Sequence, residues 1–337
     1  MHERRLHGPG ARRLLRTAAL GLIIAACGSR TGLLLPGDGF VDDDGGSADG
    51  SSRDGNFPGF DGTPPDFDGS MELDALPPID GSRPDVPLPN DCPDADATLV
   101  YVLSDTFVLY SFFPPTLGFK TIGKIVCPSA GSTPYSMAVD RKGKAYSVFD
   151  NGALFQISTA TAACAGTGYP ASQLGWKTFG MGFSGDNTSE SLFVAEGNQS
   201  TIPNPPPSQG LAILDTTTLK LTKVGPFSVP LSRCELTGTG DGRLFAFCIQ
   251  QAGDGSVIAQ IDPKNANVVA QNRLKIGHQG DAFAYAFWGG SFWIFTSSNG
   301  GGTTVVTQYD LDTGVEQNVT TLADTIVGAG VSTCAPR

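Results

Sequence analysis

The sequence predicts an all-β fold, a five-bladed β-propeller, on two observations: a four-strand pattern recurs at blade-length spacing, and the two ends of the repeat region hold complementary fragments of one further copy. The clearest copy starts at Pro134. Runs at 135–140, 144–150 and 153–158 read as short strands, separated by turn signals at Arg141 to Gly143 and Asp150 to Gly152. A meander of this size cannot bury both of its faces alone, so it needs neighbours of its own kind. They follow at once. One unit reads FGMGFSG, ESLFVAEG, GLAILDTTT and LTKVGPF; the next CELTGTGDG, RLFAFCIQ, SVIAQIDPKN and VVAQNRLKI; the last FAYAFWGG, SFWIFTSS, TTVVTQYDLDTG and VEQNVTTL. Each passes from a small-residue strand through aromatic and apolar strands to a polar one. A propeller blade demands that gradient, because its innermost strand lines a crowded channel and its outermost meets water.

The ends supply the fifth blade. Thr325 to Cys334 offers a single inner strand, while LVYVLSD, FVLYSFF and FKTIGKIV at the start of the repeat region offer three more. Joined in one sheet, they give roughly 48 residues per blade over about 240 residues, close to the WD-type repeat length. A six-bladed ring or a β-sandwich is the alternative arrangement of the same strands.

In chain order, Arg4, Arg5, Arg12, Arg13 and Arg16 precede an apolar run from Thr17 to Ala26 that is too short to span a bilayer, the pattern of an export signal over 1–26. Residues 27–96 are rich in Gly, Asp, Pro and Ser with no periodicity, and are expected to form a disordered tether with an r.m.s. reach of roughly 45–50 Å. Positions 28–96 hold 16 acidic residues against 3 Arg, whereas 97–337, the β-propeller domain, holds 16 acidic against 14 basic. The net charge of -11 therefore belongs to the tether. A nearly neutral domain lacks the basic face that nucleic acid requires.

Ile24-Ala25-Ala26-Cys27 resembles the lipobox of bacterial lipoproteins. The resemblance implies lipidation at Cys27 and a membrane-anchored protein, at the outer membrane or cell surface of a bacterium; two or three acyl chains would make the attachment long-lived. The combination of lipobox, Asp/Gly/Pro tether and Cys-containing repeat resembles bacterial lipoproteins of unestablished role.

With Cys27 set aside, six cysteines remain, an even number in an exported chain, so disulfides are expected. Cys234 and Cys248 are equidistant from Asp241 at a hairpin tip and should face each other. Cys334 ends the last inner strand just where Cys92 precedes the next strand of the shared blade, so Cys92–Cys334 would staple the ring. Cys127–Cys164 follows by elimination, although the strand directions put these two near opposite ends of neighbouring blades.

Chemistry is sparse. Beyond the signal there is a single histidine, His278, which excludes sites needing two imidazoles, and neither a metal nor a cofactor is expected. Gly238 to Gly242 lies between two strands and reads as a hairpin turn, not a phosphate loop. Five-bladed propeller glycosidases place acids at the starts of inner strands, and Glu235, Asp281 and Asp324 occupy such positions, which makes a glycoside-processing enzyme the second reading. The first reading is a noncatalytic module, expected to be monomeric, that binds a protein, peptide or glycan. Its surface would be built from the Pro-rich insertion Gly197 to Gln209, including Asn204, rising beside Tyr135, Trp176 and Lys177. A purely structural envelope role is the third.

Overall fold

The computed structural model describes residues 76–82, 92, 98–186, 188–197, 206–249, 255–275, 282–298 and 301–337. The signal segment, Cys27 and most of the tether lie outside them, as do Asn204, His278 and Asp281.

Five four-stranded antiparallel sheets form a five-bladed propeller. Blade 1 contains β1 (Val100–Ser104), β2 (Val108–Phe113) and β3 (Gly118–Lys124). Blade 2 is β4 (Pro134–Val139), β5 (Lys144–Phe149), β6 (Leu154–Ser158) and β7 (Cys164–Gly166). Blade 3 is β8 (Phe179–Gly185), β9 (Glu190–Glu196), β10 (Leu211–Leu214) and β11 (Leu221–Gly225). Blade 4 is β12 (Cys234–Gly238), β13 (Leu244–Ile249), β14 (Ser256–Ile261) and β15 (Val268–Arg273). Blade 5 is β16 (Ala282–Trp288), β17 (Ser291–Ser297), β18 (Thr304–Asp310) and β19 (Glu316–Leu322), and β20 (Ile326–Val331) returns to complete blade 1 in the order β20-β1-β2-β3. The closing register sets Val100 opposite Val331 and Val102 opposite Ala329. The six-bladed and sandwich alternatives are thereby excluded.

The glycines of the inner strands explain how five sheets meet. A Cβ on Gly180 would lie 2.0 Å from the Cys234 carbonyl oxygen, and one on Gly182 2.7 Å from the Leu236 carbonyl group. Gly328 and Gly330 of β20 approach β4 in the same way, within 2.9 Å of Met137 and 2.8 Å of Val139. No larger residue permits this approach, because a methyl group would fall inside the neighbouring backbone. Between blades the aromatic residues of the first and second strands fill the wedge. Phe245, Phe247, Tyr285, Phe287 and Phe292 make one such cluster, with ring centroids 5.0–5.9 Å apart. Burying each such ring contributes roughly 1.5–3 kcal/mol.

Three disulfides staple the ring: Cys92–Cys334, Cys127–Cys164 and Cys234–Cys248, with Cα–Cα distances of 5.3, 5.1 and 4.1 Å. Cys234 sits directly opposite Cys248 in the β12–β13 ladder. Cys127 and Cys164 meet because the outermost strands belong to the twisted rim of their sheets. There the end of β3 reaches the β6–β7 turn, and a Cβ on Gly123 would lie 3.2 Å from that of Ala162.

One segment departs from the sequence expectation. Leu76–Ser82, inside the stretch read as tether, is packed on the propeller, with Ile79 in the core cluster between blades 4 and 5. Composition averaged over seventy residues conceals a short apolar Leu-Pro-Pro-Ile run.

Candidate functional site

The two faces of the ring are built differently. On the face where inner strands begin, the connections 125–133, 167–178, 197–210, 226–233 and 274–281 are long. On the opposite face the hairpins are tight, for example 140–143, 186–189 and 289–290. That opposite face is also spent on internal contacts. Arg141 donates to the carbonyls of Asp186 and Ser189 at 2.9 and 3.2 Å and pairs with Glu190 at 3.6 Å, while Thr333 donates to Glu190 at 2.8 Å. Arg243 and the C-terminal Arg337 both pair with Asp241, at 3.0 and 3.7 Å.

The mouth is organised around the stems of the 197–210 insertion. The Gly197 N–H donates to the Thr178 carbonyl at 2.9 Å, and the Thr178 hydroxyl returns a bond to the Gly197 carbonyl at 3.0 Å. On the other stem, the Gln209 N–H donates to the Glu196 carboxylate at 3.0 Å and the Ser208 N–H to the Leu231 carbonyl at 2.7 Å. The insertion is thus pinned at its base to the connections entering blades 3 and 4. Tyr135 stands at the first turn of β4, half-buried, with its hydroxyl so close to Gly197 that a Cβ there would lie 2.6 Å away. Burial, then the Glu235 charge, raise the Tyr135 phenol above its ordinary range. The Arg233 guanidinium lies 5.3 Å over the Phe283 ring at the same rim.

Below the mouth the channel is filled by polar side chains. Ser136 donates to the Glu235 carboxylate at 2.6 Å, and the Ser136 hydroxyl accepts from the Met181 N–H at 3.2 Å. Thr237 accepts from the Phe287 N–H at 3.2 Å. These side chains satisfy N–H groups on inner strand edges that have no further strand to pair with. Glu235 is 4% exposed, and burial pushes its carboxyl well above the ordinary carboxylate range.

Of the carboxylates read as catalytic candidates, Glu235 is committed to Ser136, and Asp324 accepts from Thr106 and Tyr110 at 2.9 Å each. The two serve different contacts in different blades, blade 2 for Glu235 and blade 1 for Asp324; Asp281 lies outside the described residues. Among the binding candidates, Lys177 is exposed and Tyr135 is half-buried, packed against the cluster between blades 2 and 3 with its hydroxyl against Gly197. Trp176 is not a surface contact. It is 1% exposed and packs with Tyr146, Val148, Tyr169 and Phe179 between blades 2 and 3, so the indole supplies core volume. Asn204 lies outside the described residues. Sequence reasoning missed Glu196 and Arg233; the position of Glu196, immediately before the insertion, was the available signal.

No family model and no curated protein matches the chain. A partial structural likeness exists, to TolB from Acinetobacter baumannii. The two share 17% sequence identity with a TM-score of 0.40, over 70% of this chain and 56% of that chain. The chain therefore spans just over half the length of that protein. The blade count here rests on the strand order and registers described above. Among the described residues there is no group of three or more His, Cys, Asp or Glu placed to hold a metal ion, and no helix long and apolar enough to cross a membrane.

Proposed function

We propose that this chain is a lipid-anchored envelope protein whose propeller acts as a noncatalytic binding module for a protein, peptide or glycan, using the mouth bounded by the 167–178, 197–210 and 226–233 connections. The observation that carries the reading is the asymmetry of the faces: long connections pinned at their bases on one side, tight hairpins and ion pairs on the other. Rigid scaffolds that carry long loops on one face typically use that face for recognition. The attachment geometry supports the same view. Cys334 follows the far end of β20, so Cys92 is held on the face opposite the mouth. A tether anchored through Cys27 would then present the mouth away from the membrane.

A glycan and peptide array probed with the exported chain tests the binding reading, alongside Lys177→Glu and a chain in which 198–207 is replaced by a short Gly-Ser linker. Binding lost in both while the thermal transition is unchanged is the expected result; ligand retention in both overturns the assignment of the mouth. Lipidation is tested separately by mass spectrometry of the mature N-terminus, with Cys27→Ser expected to release the protein into the soluble fraction.

A further inference from the structure

The segment Leu76–Ser82 makes contacts that resemble those of a bound peptide more than those of a domain's own strand. The Gln271 N–H on the outer edge of β15 donates to the Pro77 carbonyl at 2.9 Å. Two residues on, the Ile79 N–H donates to the Asn272 side-chain oxygen at 3.1 Å, and the amide group of Asn272 is held in turn by donating to the Tyr309 hydroxyl at 2.8 Å. Ile79 is inserted, 5% exposed, in the cluster that holds Ala270, Phe292, Tyr309 and Leu311, and Leu76, partly buried, packs against the neighbouring cluster of blades 3 and 4. Beyond it the path is specified by Gly81, where a Cβ would fall 2.5 Å from the Asp312 carboxylate, and by a turn in which Asp80 accepts from the Ser82 N–H at 2.8 Å.

A backbone hydrogen bond to a sheet edge, apolar side-chain anchors and two prolines that pre-set an extended form are elements of peptide recognition by strand addition. The prolines also carry no N–H to leave unsatisfied. The seam is not filled by this segment. A cavity of about 360 Å³ lies beside it, lined by Leu76, Pro78, Arg273, Lys275, Tyr309 and Glu316.

We propose that the seam between blades 4 and 5 is a receptor groove for an extended peptide of the form aliphatic-Pro-Pro-aliphatic, and that residues 76–82 occupy it in cis as an exchangeable ligand. Among the described residues the hold comprises the Ile79 anchor, the partly buried Leu76 and two hydrogen bonds to blade 4, and covalent linkage supplies a further advantage as an effective concentration in the millimolar range. The inference is independent of the mouth: either can fail while the other stands.

The test uses the full exported chain and a labelled synthetic peptide spanning residues 74–83. In the wild type the Ile79 amide should exchange at least tenfold more slowly than in the free peptide; equal rates would overturn the docking. Ile79→Asp should expel the segment and raise affinity for the added peptide at least tenfold over wild type, and the peptide carrying the same Ile-to-Asp change should not bind. Equal binding to wild type and variant, or no binding at millimolar peptide, would overturn exchange. A wild-type dimer that dissociates on adding peptide would show a second copy in the groove and overturn the cis assignment. Should Ile79→Asp fail to fold, Ile79→Ala, which shortens the anchor of the cis segment and leaves the groove intact, provides the same comparison.

Discussion

Removing the staple between the chain ends should cost more than removing either of the other two, and the difference can be worked from the loops alone. A cross-link stabilises mainly by restricting the unfolded chain, with an entropy that grows as 1.5R ln n for a loop of n residues. The separations are 242 for Cys92–Cys334, 37 for Cys127–Cys164 and 14 for Cys234–Cys248, which give about 5.5, 3.8 and 3.0 kcal/mol at 25 °C. The constant term cancels in the comparison, so the double variant Cys92→Ala/Cys334→Ala should lie about 1.7 kcal/mol below Cys127→Ala/Cys164→Ala. The native pairing of β1 with β20 does not dilute this effect, because the cross-link acts where that pairing is absent. Equilibrium urea unfolding of both variants measures it, with the slope checked to be shared so that the midpoints compare stability alone. Equal midpoints, or a weaker effect for the terminal pair, would refute the reasoning, since they would mean that the ends of the chain are not free of one another in the unfolded protein.

Glu235→Gln is expected to flatten the pH dependence of stability. Burial raises the Glu235 carboxyl well above its ordinary value of 4.5, so the folded protein keeps a proton that the unfolded chain releases. Its contribution is fully present below pH 4.5 and is lost as pH rises through the folded value. Unfolding midpoints from pH 5 to 9 should fall in the wild type and fall less steeply in the variant, where Glu190, Glu196 and Asp105, also raised by burial, still contribute; parallel curves would show that the slope comes from those groups alone. Gly182→Ala should cost at least 1–3 kcal/mol by overpacking β8 against β12, whereas Gly118→Ala, on exposed β3 beside the Thr116 side chain, should stay within about 0.5 kcal/mol in thermal melts. Trp176→Ala should cost about 3–5 kcal/mol, against no measurable change for Lys177→Ala, and comparable losses would contradict the opposite burial of these neighbours.

The ring was legible because it is written into residue size. Gly180, Gly182, Gly328 and Gly330 mark inner strands by what they lack, and a lone small-residue strand at the end of the chain has no sheet to join except the incomplete one at the start. The symmetry of Cys234 and Cys248 about Asp241 is of the same kind, a register read directly from spacing. Trp176 was not legible. An aromatic residue in a connection entering a blade can turn outward to ligand or inward to the wedge between sheets, and alternation does not reach into a connection to say which. Glu235 shows the same limit for charge: its position at the head of an inner strand was readable, but that it reaches past blade 3 to Ser136 on blade 2 depends on how narrow the channel is.

The docked Leu76–Ser82 exposes a different limit, which bears on where the folded unit begins. Disorder is inferred from average hydropathy and charge, because an average decides whether a segment can bury enough surface to offset its own ordering entropy. A segment that docks on a finished surface faces another criterion. The propeller has already ordered Asn272, Tyr309 and the β15 edge, so Ile79 meets a prepared site, and two prolines leave little backbone freedom to lose. Four residues in such a setting can be held where seventy of the same composition could not fold. Short apolar runs in an acidic tether are therefore best judged against the surface that the following domain offers, and on this chain that surface is the edge of blade 4.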